Sequence, residues 1–126
     1  MRKYSLLCIG FGLTVLLWTL NFIALTFSFY WTLGWYDYMM HFLGGLTIGI
    51  LVAWFLGVEG RSLKLFLILF TTVMAAGAAY EIFEYIYDMT LSTEEYSIDT
   101  THDLIMDAVG AITAYYLITL RSLKSF

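Results

Sequence analysis

The chain has 126 residues, enough for a single domain, with 61% hydrophobic and only 13% charged residues. That balance excludes a water-soluble domain, which needs far more polar surface, and points to lipid as the main solvent. A net charge of −4 excludes nucleic acid as a partner, because phosphates call for basic patches.

Met1-Arg2-Lys3 resembles the basic start of a leader peptide. The apolar run behind it continues from Ser5 to about Phe29 with no small-x-small cleavage site, too long for a signal-peptide core. A retained helix over about residues 5–27 is therefore expected. It carries Cys8, the one cysteine, so no intrachain disulfide is available. The connection 28–35 lies within an aromatic segment (Phe27, Phe29, Tyr30, Trp31, Trp35, Tyr36, Tyr38). Its simplest role is an interfacial belt, and a floor for a lipid head group is the sharper alternative.

A second run, about 36–56, opens with Asp37-x-x-x-His41 and continues Phe42-Leu43-Gly44-Gly45. Gly57 and Gly60 then bracket Val58-Glu59 in a short connection. The third run, about 63–87, ends with Glu81-x-x-Glu84 before Asp88. A polar connection leads to the fourth run, about 103–120, whose acidic stripe is Asp99, Asp103 and Asp107, followed by Gly110. Each run approaches the roughly 20 residues a helix needs to cross a hydrocarbon core of about 30 Å. None alternates with period two, and proline is absent, so helices and not a barrel are expected. The predicted fold is all-α: one integral membrane domain over 1–126, a bundle of four transmembrane helices.

The basic residues orient it. Arg2, Lys3, Arg61, Lys64, Arg121 and Lys124 fall at the N-terminus, the second connection and the C-terminus, which four spans put on one side. Positive charge marks that side as cytoplasmic, so both termini are expected inside. Apart from Glu59, the acids belong to the other end.

Spacings of three and four keep each acidic stripe on one helical face. Counting from the basic end puts Glu81 about 25 Å beyond Lys64, Asp107 about 21 Å from Arg121 and His41 about 24 Å from Gly57. The stripes thus reach one level, in the outer leaflet. Gly45-x-x-x-Gly49 and Gly110-x-x-x-Ala114 are small-residue patterns that let helices approach closely. Gly44, Gly77 and Gly110 share faces with the stripes, turning them into the bundle.

Asp37, Glu81, Glu84, Asp99, Asp103 and Asp107 would bring six negative charges together with no Lys or Arg at that end. Desolvating each costs several kcal/mol, and repulsion adds to it. The cluster therefore needs cations, protons or water. Carboxylates with one imidazole suit one or two divalent ions, with Zn, Mn, Fe and Mg all candidates. The expected metal set is Asp37, His41, Glu81, Glu84, Asp99, Asp103 and Asp107. Simpler roles compete for some positions. Asp99, at the mouth of the fourth helix, suits a solvated cap; Asp88, Glu94 and Glu95 read as loop charges; His102, about 100° from Asp103, falls off the stripe. His41 on its own would serve equally as a hydrogen-bonded structural histidine.

At Asp37-x-x-x-His41-Phe42 with Gly44-Gly45, Glu81-x-x-Glu84 and Asp99-Thr100-x-x-Asp103-x-x-x-Asp107-x-x-Gly110-Ala111, the chain resembles the YjdF-type bacterial inner-membrane proteins. It is more distantly similar to the VanZ-like family. The matching residues span the last three helices. VanZ-like proteins usually have Glu-x-x-Gln and Asn-x-x-Gly where this chain has Glu81-x-x-Glu84 and Asp107-x-x-Gly110, which favours the YjdF side. YjdF-type proteins are typically longer, so the chain resembles a compact form of their core. The resemblance implies a multi-pass protein of a prokaryotic cell membrane with a link to envelope chemistry, and it implies no particular reaction.

Three function classes follow. The first is a metal-dependent enzyme acting on a lipid or lipid-linked substrate, with Glu84 as general base. The second is a proton- or divalent-cation-coupled transporter, although the inner half of the bundle offers almost no ionisable residues. The third is a non-catalytic subunit with a structural metal. A bundle of four helices is thin, so association with itself or with a membrane-complex partner is expected, besides contact with membrane lipids.

Overall fold

The computed structural model describes residues 2–57, 60–88 and 95–123, except for the side chains of Arg2 and residues 121–123. Glu59, Glu94 and Lys124 lie outside the described residues, as do the side chains of Arg2 and Arg121. The helices are α1 (Arg2–Phe27), α2 (Phe29–Thr32), α3 (Tyr36–Leu56), α4 (Leu63–Tyr87) and α5 (Tyr96–Leu123). All but the four-residue α2 are long and apolar enough to cross a membrane.

Local chemistry explains the ends. Ser28, at φ 59°, turns the chain between α1 and α2. Gly57 at φ 61° closes α3, its N–H donating to the carbonyls of Ala53 and Trp54 at 3.1 Å; a residue without Cβ adopts this left-handed cap at least cost. The Ser62 hydroxyl caps α4 by accepting from the Leu65 N–H at 3.1 Å. Asp88 ends α4 in the left-handed region, which Asp tolerates better than most residues.

The bounds of α3 and α4 coincide with the apolar runs, whereas α5 starts at Tyr96, seven residues before its run. Ser97, Asp99, Thr100, Thr101 and His102 hide this extension by lowering the local hydropathy. The acidic stripe nevertheless keeps its helical period through Asp99.

Helix α3 is the centre: it packs on α1, α4 and α5, and α4 also packs on α5. The α3–α5 contact is the closest. A Cβ on Gly45 would strike the Asp107 backbone, one on Gly110 would strike the backbone of Phe42 and Leu46, and Gly49 faces the Ala114 methyl. The two small-residue patterns thus meet face to face. In lipid this matters more than burial of large side chains, since apolar groups gain no hydrophobic energy by leaving hydrocarbon for protein.

The end of the bundle that carries the basic residues is filled by Ala53, Leu65, Leu69 and Ile118, with Leu46, Ile50 and Ala114 above them. Outward faces are apolar, as at Phe11, Trp18, Phe22, Phe55, Ile82 and Tyr116. The hydroxyls of Thr14, Thr19, Thr26, Thr71 and Thr113 donate to the carbonyl four residues earlier. That arrangement satisfies them without water, as a hydrocarbon environment demands.

At the acidic end, Tyr36 donates to the Leu20 carbonyl at 2.9 Å and Tyr30 donates to the Asn21 side-chain oxygen at 2.8 Å. These two tyrosines are buried with Ala24 and hold α1 and α2 against the start of α3. Trp31 and Trp35 stay exposed, as a belt requires, but Tyr30 and Tyr36 have turned inward because their hydroxyls find partners on α1.

Candidate metal centre

Three helices aim their ionisable stripes at one place. α3 contributes Asp37 and His41, α4 contributes Glu81 and Glu84, and α5 contributes Asp99, Asp103 and Asp107. All are buried except Asp37, which is 16% exposed; Asp103 is fully buried at 0%.

His41 is the hub. Its Nδ1 lies 3.3 Å from Asp107 Oδ1, a hydrogen bond that holds the ring. Nε2 then faces Asp103 Oδ2 at 3.7 Å, Glu81 Oε1 at 3.8 Å and Asp37 Oδ1 at 3.9 Å. None of these three distances is a hydrogen bond. The three oxygens surround one nitrogen at nearly equal range, as ligands around a common centre do. Asp37, His41 and Asp103 each offer a donor atom within 4.8 Å of the others, and this buried group could hold a metal ion.

The supporting contacts fit that purpose. With the proton on Nδ1 donated to the Asp107 carboxylate, Nε2 would be the lone-pair donor, and a carboxylate is the usual outer partner of a metal-ligating histidine. Thr100 donates to Glu81 Oε2 at 2.8 Å, leaving Oε1 free to face His41, and the Tyr96 hydroxyl donates to the Glu81 backbone carbonyl at 3.0 Å. Asp107 fits only because position 77 is glycine: a Cβ there would collide with Asp107 Oδ2. Tyr80 packs edge-on against the imidazole, with centroids 5.9 Å apart.

Charge bears on the same point. Both carboxylate oxygens of Asp103, Oε1 of Glu81, Oδ2 of Asp107 and Oδ1 of Asp99 are buried without a hydrogen-bond partner. Buried polar atoms are normally satisfied, and five orphans in one cluster are far from that norm. No Lys or Arg neighbours these stripes in sequence. An oxygen-rich set with one imidazole suits a divalent ion of the Zn, Mn, Fe or Mg type.

Of the seven expected ligands, Asp37, His41, Glu81, Asp103 and Asp107 come together around the imidazole. Glu84 is buried one turn further along α4 beside Tyr80, and Asp99 is buried one turn before Asp103. Both stand outside the inner group. Asp99 is only 2% exposed, so it is no solvated cap. Asp88 and Glu95 are exposed, as loop charges are. His102 pairs with the Tyr38 hydroxyl at 3.0 Å, away from the stripe.

Residues that periodicity did not single out also contribute. Asn21, Tyr30 and Tyr80 line a cavity of about 270 Å³ that opens beside Asp37, His41 and Asp107. Burial raises the Tyr30 phenol above its ordinary pKa, keeping its hydroxyl a donor. A lone amide in an otherwise apolar first run was the available signal for Asn21.

The family described as "Predicted membrane protein (DUF2238)" matches residues 3–124. The chain belongs to that family. No curated protein and no solved structure matches it. The match takes in the first helix as well as the last three, so Asn21 and the cavity it lines fall within the family's span.

Proposed function

We propose that this family member is a divalent-metal-dependent enzyme of a prokaryotic cell membrane, acting at the outer leaflet on a lipid or lipid-linked envelope substrate. Asp37, His41, Glu81 and Asp103 hold one ion, Asp107 orients His41, and Glu84 and Asp99 flank the site, where they can share a second ion. The observation that carries this reading is the His41 Nε2 atom, ringed by three carboxylate oxygens at 3.7–3.9 Å with no hydrogen bond among them. A bound ion would lower the pKa of a coordinated water or polarise a phosphoryl or carbonyl oxygen. Glu84, buried beside the site, serves as general base. The resemblance to YjdF-type and VanZ-like proteins at the same residues supports an envelope role.

Transport is the weaker reading because the basic end is closed by apolar side chains around Ala53, Leu65, Leu69 and Ile118. A path for ions needs polar groups on both sides of the site. Elemental analysis of the purified protein tests the metal: one or two ions per chain are expected in the wild type and at least one fewer in His41→Ala or Asp103→Asn. A wild type free of stoichiometric metal refutes the proposal. If the metal is present, a protein that unfolds on its removal marks a structural clamp, whereas an enzyme stays folded and loses turnover.

A further inference from the structure

Helices α1 and α4 both flank α3, yet they do not pack against each other. The cavity beside the metal centre lies in this seam, with Asn21 on one side, Ala76 and Tyr80 on the other, and Gly44 and Ile48 of α3 at its back. From Asp37 to Ile48 it follows α3 for eleven residues, about 16 Å along the membrane normal. At about 270 Å³ over that length, it is a slot for one extended chain rather than a chamber for a bulky solute. Polarity is graded along it. Asn21, Tyr30, Tyr80 and the cluster lie toward the acidic end, with Met40 beside them, while Gly44, Ile48 and Ala76 make the deeper part apolar.

We propose that the α1–α4 seam is a lateral entrance for a single membrane phospholipid, one acyl chain lying against Ile48 and Ala76 while its phosphate reaches the metal centre. This rests on the metal reading above and adds the substrate class, the route and the order of binding. A charged head group cannot cross the hydrocarbon alone, but a lipid already in the leaflet slides sideways with its chain still in apolar surroundings. The cavity wall offers neutral polar groups at Asn21, Tyr30 and Tyr80 and negative charge at Asp37 and Asp107, with no Lys or Arg. A phosphate is repelled by this wall until a divalent ion is in place, so metal binds first and lipid second. Gly44, where a Cβ would meet no atom within 4 Å, keeps the slot open.

The test uses the full chain in phosphatidylcholine nanodiscs containing a minor fraction of phosphatidylglycerol with a photoreactive acyl chain, and labelled residues are mapped by mass spectrometry. With Zn²⁺ or Mn²⁺ bound, labelling concentrates on Ile48 and Ala76 over the lipid-facing Trp18, Phe55 and Ile82. Chelation lowers it about tenfold. Gly44→Leu, which fills the slot from the back, abolishes the concentrated labelling while metal stoichiometry stays at the wild-type value; Ala76→Leu does the same from the α4 side. Labelling spread evenly around a metal-loaded bundle, or insensitive to chelation, overturns the entrance while leaving the metal centre standing. Crosslinking that joins the seam to α1 or α4 of a second copy identifies a helix as the occupant and overturns it too. Loss of metal in the wild type instead removes the reading on which the proposal rests.

Discussion

Gly77→Ala separates the metal centre from the fold that carries it. In an exposed helix this change is favourable by about 1 kcal/mol, because alanine is the better helix former. Here the new Cβ would land on Asp107 Oδ2, with Cγ of Asp107 at 3.1 Å and Leu104 Cδ2 at 3.4 Å. The atom in the way is the end of a side chain, so Asp107 swings aside rather than forcing α4 from α5. In moving it gives up its 3.3 Å contact with His41 Nδ1. The imidazole then loses the partner that fixes its tautomer and aims Nε2 at Asp103 and Glu81. Losing such an outer partner typically weakens metal binding by about 10–100-fold, or about 1.4–2.7 kcal/mol. The metal-free protein should melt within a few degrees of the wild type, since the helix-propensity gain offsets the repacking. Chelator-competition titration with Zn²⁺ measures the affinity, and thermal unfolding in detergent measures the fold. Gly44→Ala is the control: it carries the same propensity gain and meets no atom within 4 Å, so its affinity stays at the wild-type value. Wild-type affinity in Gly77→Ala would refute the role of Asp107 as the support of His41.

Other changes read other parts of the molecule. Gly110→Ala drives a Cβ into the α3 backbone at Phe42 and Leu46, where nothing can swing away; overpacking of this kind costs about 1–3 kcal/mol, visible as a lower melting temperature with or without metal. Asp103→Asn removes a fully buried charge, so the metal-free protein should become more heat-stable while metal binding is lost. Acidification should release the ion, because protons compete for the carboxylates and for His41 Nε2; retention of metal by wild type on dialysis from neutral to mildly acidic buffer would contradict the ligand set. Tyr30→Phe, which removes a 2.8 Å hydrogen bond to Asn21, should lower stability by about 0.6 kcal/mol, the average for such bonds between membrane helices, and leave metal stoichiometry intact. For orientation, an impermeant thiol reagent should modify Asp88→Cys from outside intact cells and reach Arg61→Cys only after lysis; the reverse pattern would invert the proposed topology.

The four spans were legible because the length of an apolar run and the period of a stripe are local properties. Tyr36–Leu56 and Leu63–Tyr87 could be read to the residue, since glycine, serine and charge bound them sharply. The carboxylates also announced themselves, as charge in an apolar run has few reasons to exist. Asp99 was harder. The polar residues around it look like a loop, and only its period with Asp103 and Asp107 reveals a continued helix.

What periodicity alone leaves open is how the helices are rotated and how closely they approach. Both depend on backbone contact between segments far apart in sequence, such as Gly45 against Asp107 and Gly110 against Phe42. Those contacts decide that Nε2 of His41, and not some other atom, faces Asp37, Glu81 and Asp103, and that Glu84 stands one turn away. They also leave Gly44 facing open space while its neighbour Gly45 is in tight contact. The residue types and their spacing determined that a charged cluster must sit in this membrane bundle; only the packing of α3 against α5 decided which atoms share its centre.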